Sequence, residues 1–181
     1  MKTLTEIFNK IGHFGNDIGC NDKGGTHSYL ETYEEILKPF QNKVSLLEIG
    51  LAMGDSMKLF DEYFDNSRIV GVDISVVFKP IEYKNDVSII QVDATKSNFL
   101  KLIENETFDI IIDDGSHITA DQLATFNLLK GKMRKGGVYI IEDILAYDIE
   151  KEKFKALHDN IEVVDMRHTG RFDNILLIYR F

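Results

Sequence analysis

Short apolar runs of strand length alternate along the chain with segments whose apolar residues recur at helical spacing. Seven runs predict β-strands, and the first five are almost continuously apolar, as in parallel sheets covered by helices on both faces. The runs are residues 44–49, 69–73, 87–92, 108–113, 138–142, 161–165 and 174–179. No helical segment separates the last two runs, so we expect them to pair antiparallel at one edge.

Three amphipathic helices are predicted from the segments around these strands. Their apolar stripes cover residues 29–40, 57–64 and 123–133. The third helix is expected to begin with a capping box of Thr119 and Gln122 and to end at the glycine pair 136–137. The alternation predicts an α/β fold with a doubly wound, mostly parallel seven-stranded sheet and an antiparallel edge strand.

Composition narrows the class of protein. The 181 residues include 21 Lys and Arg against 30 Asp and Glu, a formal net charge of −9, which argues against general binding of nucleic acid. The single cysteine, Cys20, excludes an internal disulfide and a cysteine-based zinc site. No apolar stretch suits a bilayer and the first residues lack a signal-peptide core, so we expect a soluble cytoplasmic protein without a membrane partner. We expect residues 41–181 to form the main domain and residues 1–40 an extension, with a helix, that closes over its site.

The end of the first predicted strand carries the pattern E-x-G-x-x-x-G, formed by Glu48, Gly50 and Gly54. Glycines allow a tight turn and the close approach of a ligand, and a helix N-terminus follows. Neither the dinucleotide pattern G-x-G-x-x-G nor the phosphate loop is present. An acid inside the strand disfavours a pyrophosphate and favours a cationic ligand.

Two further acids end the next two predicted strands. Asp73 is placed to bind ribose hydroxyls, and Asp93 to meet an adenine amino group. Together with the first strand end, these acids indicate a nucleoside site for a ligand with positive charge. In this register the sequence resembles the class I S-adenosylmethionine-dependent methyltransferases, whose fold is Rossmann-like. We add Ser56 and Asp113 to the predicted cofactor-binding residues.

The fourth and fifth predicted strands end in Asp113-Asp114-Gly115-Ser116-His117 and Glu142-Asp143. Neighbouring parallel strands lie about 4.8 Å apart, so these carboxylates converge. Such crowding requires a cation or a proton, and a hard divalent ion such as Mg²⁺ is the simplest remedy. We predict Asp114, Glu142 and Asp143 as its ligands. Iron is a minor alternative, because it would need a second histidine such as His27.

His117 is the predicted general base, and Asp114 a second catalytic residue. A neutral imidazole accepts a proton from a substrate hydroxyl, and the resulting alkoxide attacks the methyl group of the sulfonium in line. A histidine in such a loop is more often an ordinary hydrogen-bonding residue. The two interpretations stay open at this point.

The sequence DDGSH, a helix, and then GGVYIIED resembles the metal-dependent sugar O-methyltransferases of the mycinamicin and macrocin type. The resemblance implies S-adenosylmethionine as methyl donor, Mg²⁺ on Asp114, Glu142 and Asp143, His117 as base, and a small-molecule acceptor that contains a sugar. Residues 21–29 resemble the family segment that closes over the cofactor, which makes Lys23 and Tyr29 predicted contacts, with His27 and Tyr33 beside them. Both tyrosines equally suit a helix core.

Two other functions remain open from the sequence. One is a metal-independent methyltransferase of another small molecule, in which the acids serve structure. The other is a non-catalytic relative that binds a nucleoside. A homo-oligomer that completes the acceptor pocket is a further expectation.

Overall fold

The computed structural model describes residues 2–11, 23–25, 27–78 and 81–181. In these ranges six helices surround one sheet of seven strands. The helices are α1 (Leu4–Ile11), α2 (Leu30–Leu37), α3 (Asp55–Tyr63), α4 (Phe99–Leu102), α5 (Thr119–Leu129) and α6 (Tyr147–Lys155). The strands are β1 (Ser45–Ile49), β2 (Arg68–Asp73), β3 (Asp86–Gln91), β4 (Phe108–Asp113), β5 (Met133–Ile141), β6 (Ile161–Asp165) and β7 (Ile175–Arg180).

The sheet has the order β3-β2-β1-β4-β5-β7-β6, and its first five strands run parallel. Strand β7 is antiparallel to both of its neighbours and lies between β5 and the edge strand β6. The predicted doubly wound α/β sheet is therefore confirmed. The chain reverses direction of winding between β1 and β4, which is where open sheets of this kind bind ligands.

The strands are apolar on both faces because helices cover both faces. Successive residues of a strand point to opposite sides, so Leu46 and Leu47 of β1 enter two different apolar clusters. The cluster of Leu46 includes the apolar residues of α1, α2 and α3. The cluster of Leu47 includes those of α4, α5 and α6. Strand β3, at the edge, is only half-buried.

Helices α1 and α2 belong to the same core as the sheet. Glu34 of α2 accepts a hydrogen bond from the backbone N–H of Leu4 and another from the hydroxyl of Tyr63 in α3. The described part of residues 1–40 is thus anchored to the domain. Closure of this extension over the site stays a prediction. No helix in the described ranges has the length and apolarity to cross a bilayer.

The third helix begins at Thr119 as predicted, but the predicted capping box and C-terminal end were wrong. The N-cap of α5 is Ile118, without a side-chain cap, and the side chain of Gln122 instead donates to the backbone carbonyl of Glu142 at 3.0 Å. The helix ends at Leu129, before the glycine pair, which lies within β5. Glycine is required at position 137 of β5, because a Cβ there would lie only 2.7 Å from the backbone oxygen of Asp109.

Candidate active site

The loops that follow β1, β4 and β5 are tied together by backbone hydrogen bonds beyond the strand ends. The N–H of Asp114 donates to the carbonyl of Ile49 at 2.9 Å, and the N–H of Glu142 donates to the carbonyl of Asp113 at 3.0 Å. These bonds continue the pairing of the sheet by one residue. The acids that end neighbouring strands are therefore held on a rigid frame.

Gly50 is required by the packing of two of these loops. It has φ +86°, and a Cβ at this position would lie 1.9 Å from the backbone oxygen of Asp114. The sequence predicts a tight turn at Gly50 and the close approach of a ligand. In the structure, the group that approaches Gly50 closely is the backbone of the loop after β4. Gly54 is the N-cap of α3 with φ +83°, and a Cβ there would lie 3.0 Å from the ring of Phe78.

A cavity of about 310 Å³ opens at the carboxyl edge of β1, β2 and β4. Its lining includes four of the predicted cofactor-binding residues: Gly50, Asp73, Asp93 and Asp113. Apolar side chains such as Val72 and Ile74 form the rest of its wall beside these acids. A pocket with apolar walls and a few placed carboxylates suits a nucleoside.

Asp113 is a buried acid at the floor of this cavity. The hydroxyl of Thr125 donates to one of its oxygens, and the N–H of Gly115 donates to the other at 3.4 Å. Burial raises the pKa of Asp113 to about 6, against the opposing hydrogen bonds from Thr125 and Gly115. The charge of Asp114 raises it further.

A second cavity of about 240 Å³ adjoins the first. Both are lined by Gly50, Asp73 and Gly115. The second cavity adds Ser56, Asp114 and His117, which are two predicted catalytic residues and one predicted cofactor contact. A ligand in the larger cavity would therefore reach the predicted base without leaving the crevice.

Lys23 lies among the acids at the strand ends. Its ammonium is 2.6 Å from Oδ2 of Asp114, 2.8 Å from Oε1 of Glu142 and 3.7 Å from Oε1 of Glu48. Glu48 also accepts a hydrogen bond of 2.9 Å from Ser56. The described lining of the two cavities includes neither Glu48 nor Lys23, so their role in cofactor binding stays a prediction.

Glu142 is fully buried between Lys23 and α2. Its Oε1 also accepts a hydrogen bond from the hydroxyl of Tyr33. Burial raises the pKa of Glu142 well above its ordinary value, and the charge of Asp114 adds to this, while Lys23 opposes it. Burial likewise raises the pKa of Tyr33, so this phenol stays a hydrogen-bond donor.

Asp143 is contacted by three side chains. The hydroxyl of Tyr29 donates to its Oδ1 at 2.6 Å, while Nε2 of His27 and Nε2 of His117 lie 3.3 and 4.0 Å from its Oδ2. One ligand atom from each of Asp114, His117 and Asp143 can be chosen so that all lie within 4.8 Å of one another. These three residues form the described cluster beside the second cavity that has the spacing for an ion.

A second group with such spacing joins the inner side of Asp143. It consists of His27, Asp143 and Asp173. Nδ1 of His27 lies 3.1 Å from Oδ1 of Asn174. The structure thus places His27 beside Asp143, one of the predicted acids, which the sequence had indicated as a possibility.

The backbone is strained at the loops of the site. Four non-glycine residues of the described chain have positive φ, and three of them lie here: Ala52 at +44°, His117 at +58° and Asp143 at +54°. Such conformations persist where the surrounding structure holds them, and they concentrate at functional sites. Nδ1 of His117 is buried and has no hydrogen-bond partner in the described ranges.

Three supporting residues were missed by the sequence reasoning. Thr125 and Gln122 contact the backbone or side chain of the predicted site acids, and Asn174 contacts His27. A signal existed for two of them, because residues 122, 125, 126 and 129 share the buried face of α5. Polar residues on that face imply buried polar partners. Nothing local marks Asn174.

Comparison with known proteins shows that the chain is similar to O-methyltransferases of glycosylated natural products. It is 32% identical over 134 residues to the 8-demethyl-8-alpha-L-rhamnosyl tetracenomycin-C 2'-O-methyltransferase of Streptomyces olivaceus, covering 68% of this chain and 35% of that protein. It is 33% identical over 131 residues to the mycinamicin VI 2''-O-methyltransferase of Micromonospora griseorubida, covering 67% of this chain and 32% of that protein. The chain therefore spans about a third of the length of the curated relatives it matches. No family model matches.

A solved structure extends the likeness to the fold. The MycE methyltransferase from the mycinamycin biosynthetic pathway, in complex with Mg and SAH, superposes with a TM-score of 0.75 at 25% identity. The alignment covers 99% of this chain and 55% of that protein. By sequence and by fold, the chain is a homologue of the sugar O-methyltransferases of the mycinamicin and macrocin type, with the class I S-adenosylmethionine-dependent methyltransferase fold.

Proposed function

We propose that the chain is an S-adenosylmethionine-dependent O-methyltransferase that methylates a sugar hydroxyl of a small molecule, with Mg²⁺ at the site and His117 as general base. The observation that carries the proposal is the pair of adjoining cavities. One is lined by Asp73 and Asp93, the other by Asp114 and His117, and they share Gly50. A donor nucleoside and an acceptor hydroxyl would meet where the cavities join.

The larger cavity supports a nucleoside cofactor. Oδ2 of Asp73 accepts the N–H of Leu51 at 2.7 Å, and Oδ1 accepts the N–H of Ser75 at 2.8 Å. An ionised carboxylate has about four acceptor sites, so each oxygen keeps one for a ribose hydroxyl. The two backbone bonds fix the direction in which these sites point. S-adenosylmethionine would supply the methyl group as an electrophile on sulfur.

The acids at and beside the second cavity fit a divalent cation. Asp114 and Asp143 offer carboxylate oxygens beside His117, at the spacing given above, and Glu142 lies next in the chain. Hard cations such as Mg²⁺ prefer oxygen ligands of this kind. When bound, the ion would lower the pKa of an acceptor hydroxyl. Asp114 and Asp143 would hold it, with Glu142 as a third carboxylate.

His117 would remove the proton of the acceptor hydroxyl. Its side chain is 32% exposed and lines the second cavity. The carboxylate of Asp143, which lies 4.0 Å from its Nε2, would stabilise the imidazolium that forms. The left-handed backbone fixes the direction of the ring.

The sugar acceptor is inferred from the relatives. The proteins matched above are named for methyl transfer to a rhamnosyl 2'-oxygen and to a mycinamicin 2''-oxygen. The acid-rich crevice is consistent with an uncharged, hydroxyl-rich acceptor. We infer a glycoside or another sugar-containing small molecule.

A metal-independent transferase is the second candidate, and one contact favours it. The ammonium of Lys23 already neutralises part of the charge of Asp114 and Glu142, which a metal was expected to do. Under this alternative, activity survives complete removal of divalent ions. Chelation therefore decides between the two candidates.

The decisive experiment combines cofactor binding with methyl transfer. We expect S-adenosylhomocysteine to bind in calorimetry. We expect Asp73→Asn to weaken this binding by on the order of tenfold to a hundredfold, since one lost charged hydrogen bond is worth about 1.5–3 kcal/mol. Asp86→Asn is the matched control, because this exposed acid begins β3, at the end of the strands opposite to Asp73. Mass spectrometry of sugar acceptors with S-adenosylmethionine, with and without EDTA, then tests transfer. Failure of the wild type to bind the cofactor would refute the proposal.

A further inference from the structure

Lys23 is a buried charged residue of the site that has no role in the proposed reaction. Its side chain is 1% exposed, and its ammonium forms two short ion pairs with acids on different loops, Asp114 after β4 and Glu142 after β5. A lysine is rarely buried this deeply unless it is paired. These two ion pairs therefore hold Lys23 inside the site.

The partners of Lys23 overlap with the acids predicted to bind the cation. Oδ2 of Asp114 accepts from Lys23 at 2.6 Å, and Asp114 also belongs to the cluster with His117 and Asp143. Oε1 of Glu142 accepts both from Lys23 and from Tyr33. An oxygen that holds an ammonium at hydrogen-bond distance is not available to a metal on the same lone pair.

The positive charges of the ion and of the Lys23 ammonium also repel each other. A divalent ion held by Asp114 would lie within a few ångströms of the buried ammonium, where water screens their repulsion poorly. Binding of the ion and retention of the Lys23 ion pairs therefore oppose each other. Tyr33 is uncharged and imposes no such conflict, so its hydrogen bond to Glu142 can persist.

We propose that Lys23 is an internal counter-ion which competes with the divalent cation for Asp114 and Glu142, so that the cation binds by displacing the ammonium. Lys23 is thus a positioning residue: it keeps the acids together before the ion arrives, and it weakens the affinity of the site for the ion. This inference rests on the proposed function, because it takes the cation site at Asp114 as given.

Manganese binding to purified variants tests the competition without any turnover. Lys23→Met keeps the apolar stem and removes the charge, and we expect it to bind Mn²⁺ on the order of tenfold to a hundredfold more tightly in paramagnetic resonance titrations, because one nearby positive charge is gone. Lys23→Arg keeps the charge and is expected to retain weak binding. Lys58→Met is the matched control, since Lys58 pairs with Asp61 on α3.

A measurement on the unaltered protein covers the case in which Lys23→Met does not fold. Acetic anhydride modifies exposed amines, and mass spectrometry reads each lysine separately. Saturating Mn²⁺ is expected to raise the modification rate of Lys23 several-fold over EDTA, while that of Lys58 stays constant.

The outcomes separate the two proposals. Equal or weaker Mn²⁺ binding by Lys23→Met, with unchanged labelling of Lys23, overturns the competition but leaves the cation site in place. No Mn²⁺ binding by either protein overturns the metal part of the proposed function and the competition with it. Cofactor binding is measured independently of both.

Discussion

Substitution of Gly50 by alanine tests whether the loops after β1 and β4 form one unit. A left-handed backbone costs a residue with a Cβ about 1–2 kcal/mol. The new Cβ would also lie 1.9 Å from the backbone oxygen of Asp114. Ordinary contacts begin near 3.4 Å, so the loop must withdraw by about 1.5 Å.

The strain adds to the backbone cost. Overpacking of this kind costs about 1–3 kcal/mol, so we expect Gly50→Ala to lose about 2–5 kcal/mol of unfolding free energy. Gly136→Ala isolates the first contribution, because Gly136 has φ +83° and no atom within 4 Å of a Cβ. That variant should lose only about 1–2 kcal/mol.

Urea unfolding and calorimetry measure the two consequences. Because Gly50 and Gly115 of the displaced loop both line the larger cavity, Gly50→Ala should weaken S-adenosylhomocysteine binding by on the order of tenfold, the equivalent of about 1.4 kcal/mol. Gly136→Ala should bind normally. Equal stability of the two variants, together with normal cofactor binding by Gly50→Ala, would show that the loops do not constrain each other.

Three further predictions address stability. The pKa of Asp113 is raised to about 6 in the folded protein, so its contribution to stability is complete below its ordinary pKa and is lost as the pH rises through 6. Relative to Asp113→Asn in EDTA, wild type should lose about 2–2.5 kcal/mol between pH 4 and pH 7, and a flat difference in urea melts contradicts this. Asp61 accepts the backbone N–H groups of Lys84 and Asn85, so Asp61→Ala should cost about 2–4 kcal/mol in the same assay, with a smaller loss counting against its structural role. Phe126 packs against the rings of Tyr139 and Tyr179, and Phe126→Ala should cost about 3–5 kcal/mol; a loss below 1 kcal/mol would mean that the core collapses around the gap.

The fold was accessible from the sequence because its signals are local. Apolar runs predicted all seven strands of the described sheet, although β5 begins at Met133, five residues before its predicted start. The absence of a helix after β6 predicted the antiparallel pairing. The capping box predicted for α5 was wrong because the side chain of Gln122 makes a tertiary contact. The carbonyl of Glu142 attracts Gln122 away from the helix terminus, which no local pattern reveals.

The site was predictable only at the level of strand ends. Parallel strands made the convergence of Asp73, Asp114 and Asp143 a geometric expectation. The place of Lys23 was not, because it meets Asp114 and Glu142 across 91 and 119 residues of sequence. A charge-balance argument from the acids alone required a cation and named a metal, and it did not reveal that the chain places an amine beside two of these acids.

The left-handed turns at Ala52, His117 and Asp143 set limits on laboratory evolution of this chain. Each is held against a conformational preference of about 1–3 kcal/mol, which glycine would relieve. Selection for heat resistance alone should therefore favour glycine at 117 and 143, and would erase the imidazole and the carboxylate with it. A thermostable variant that keeps both side chains has to gain its stability elsewhere, in the helices and in the apolar clusters on the two faces of the sheet.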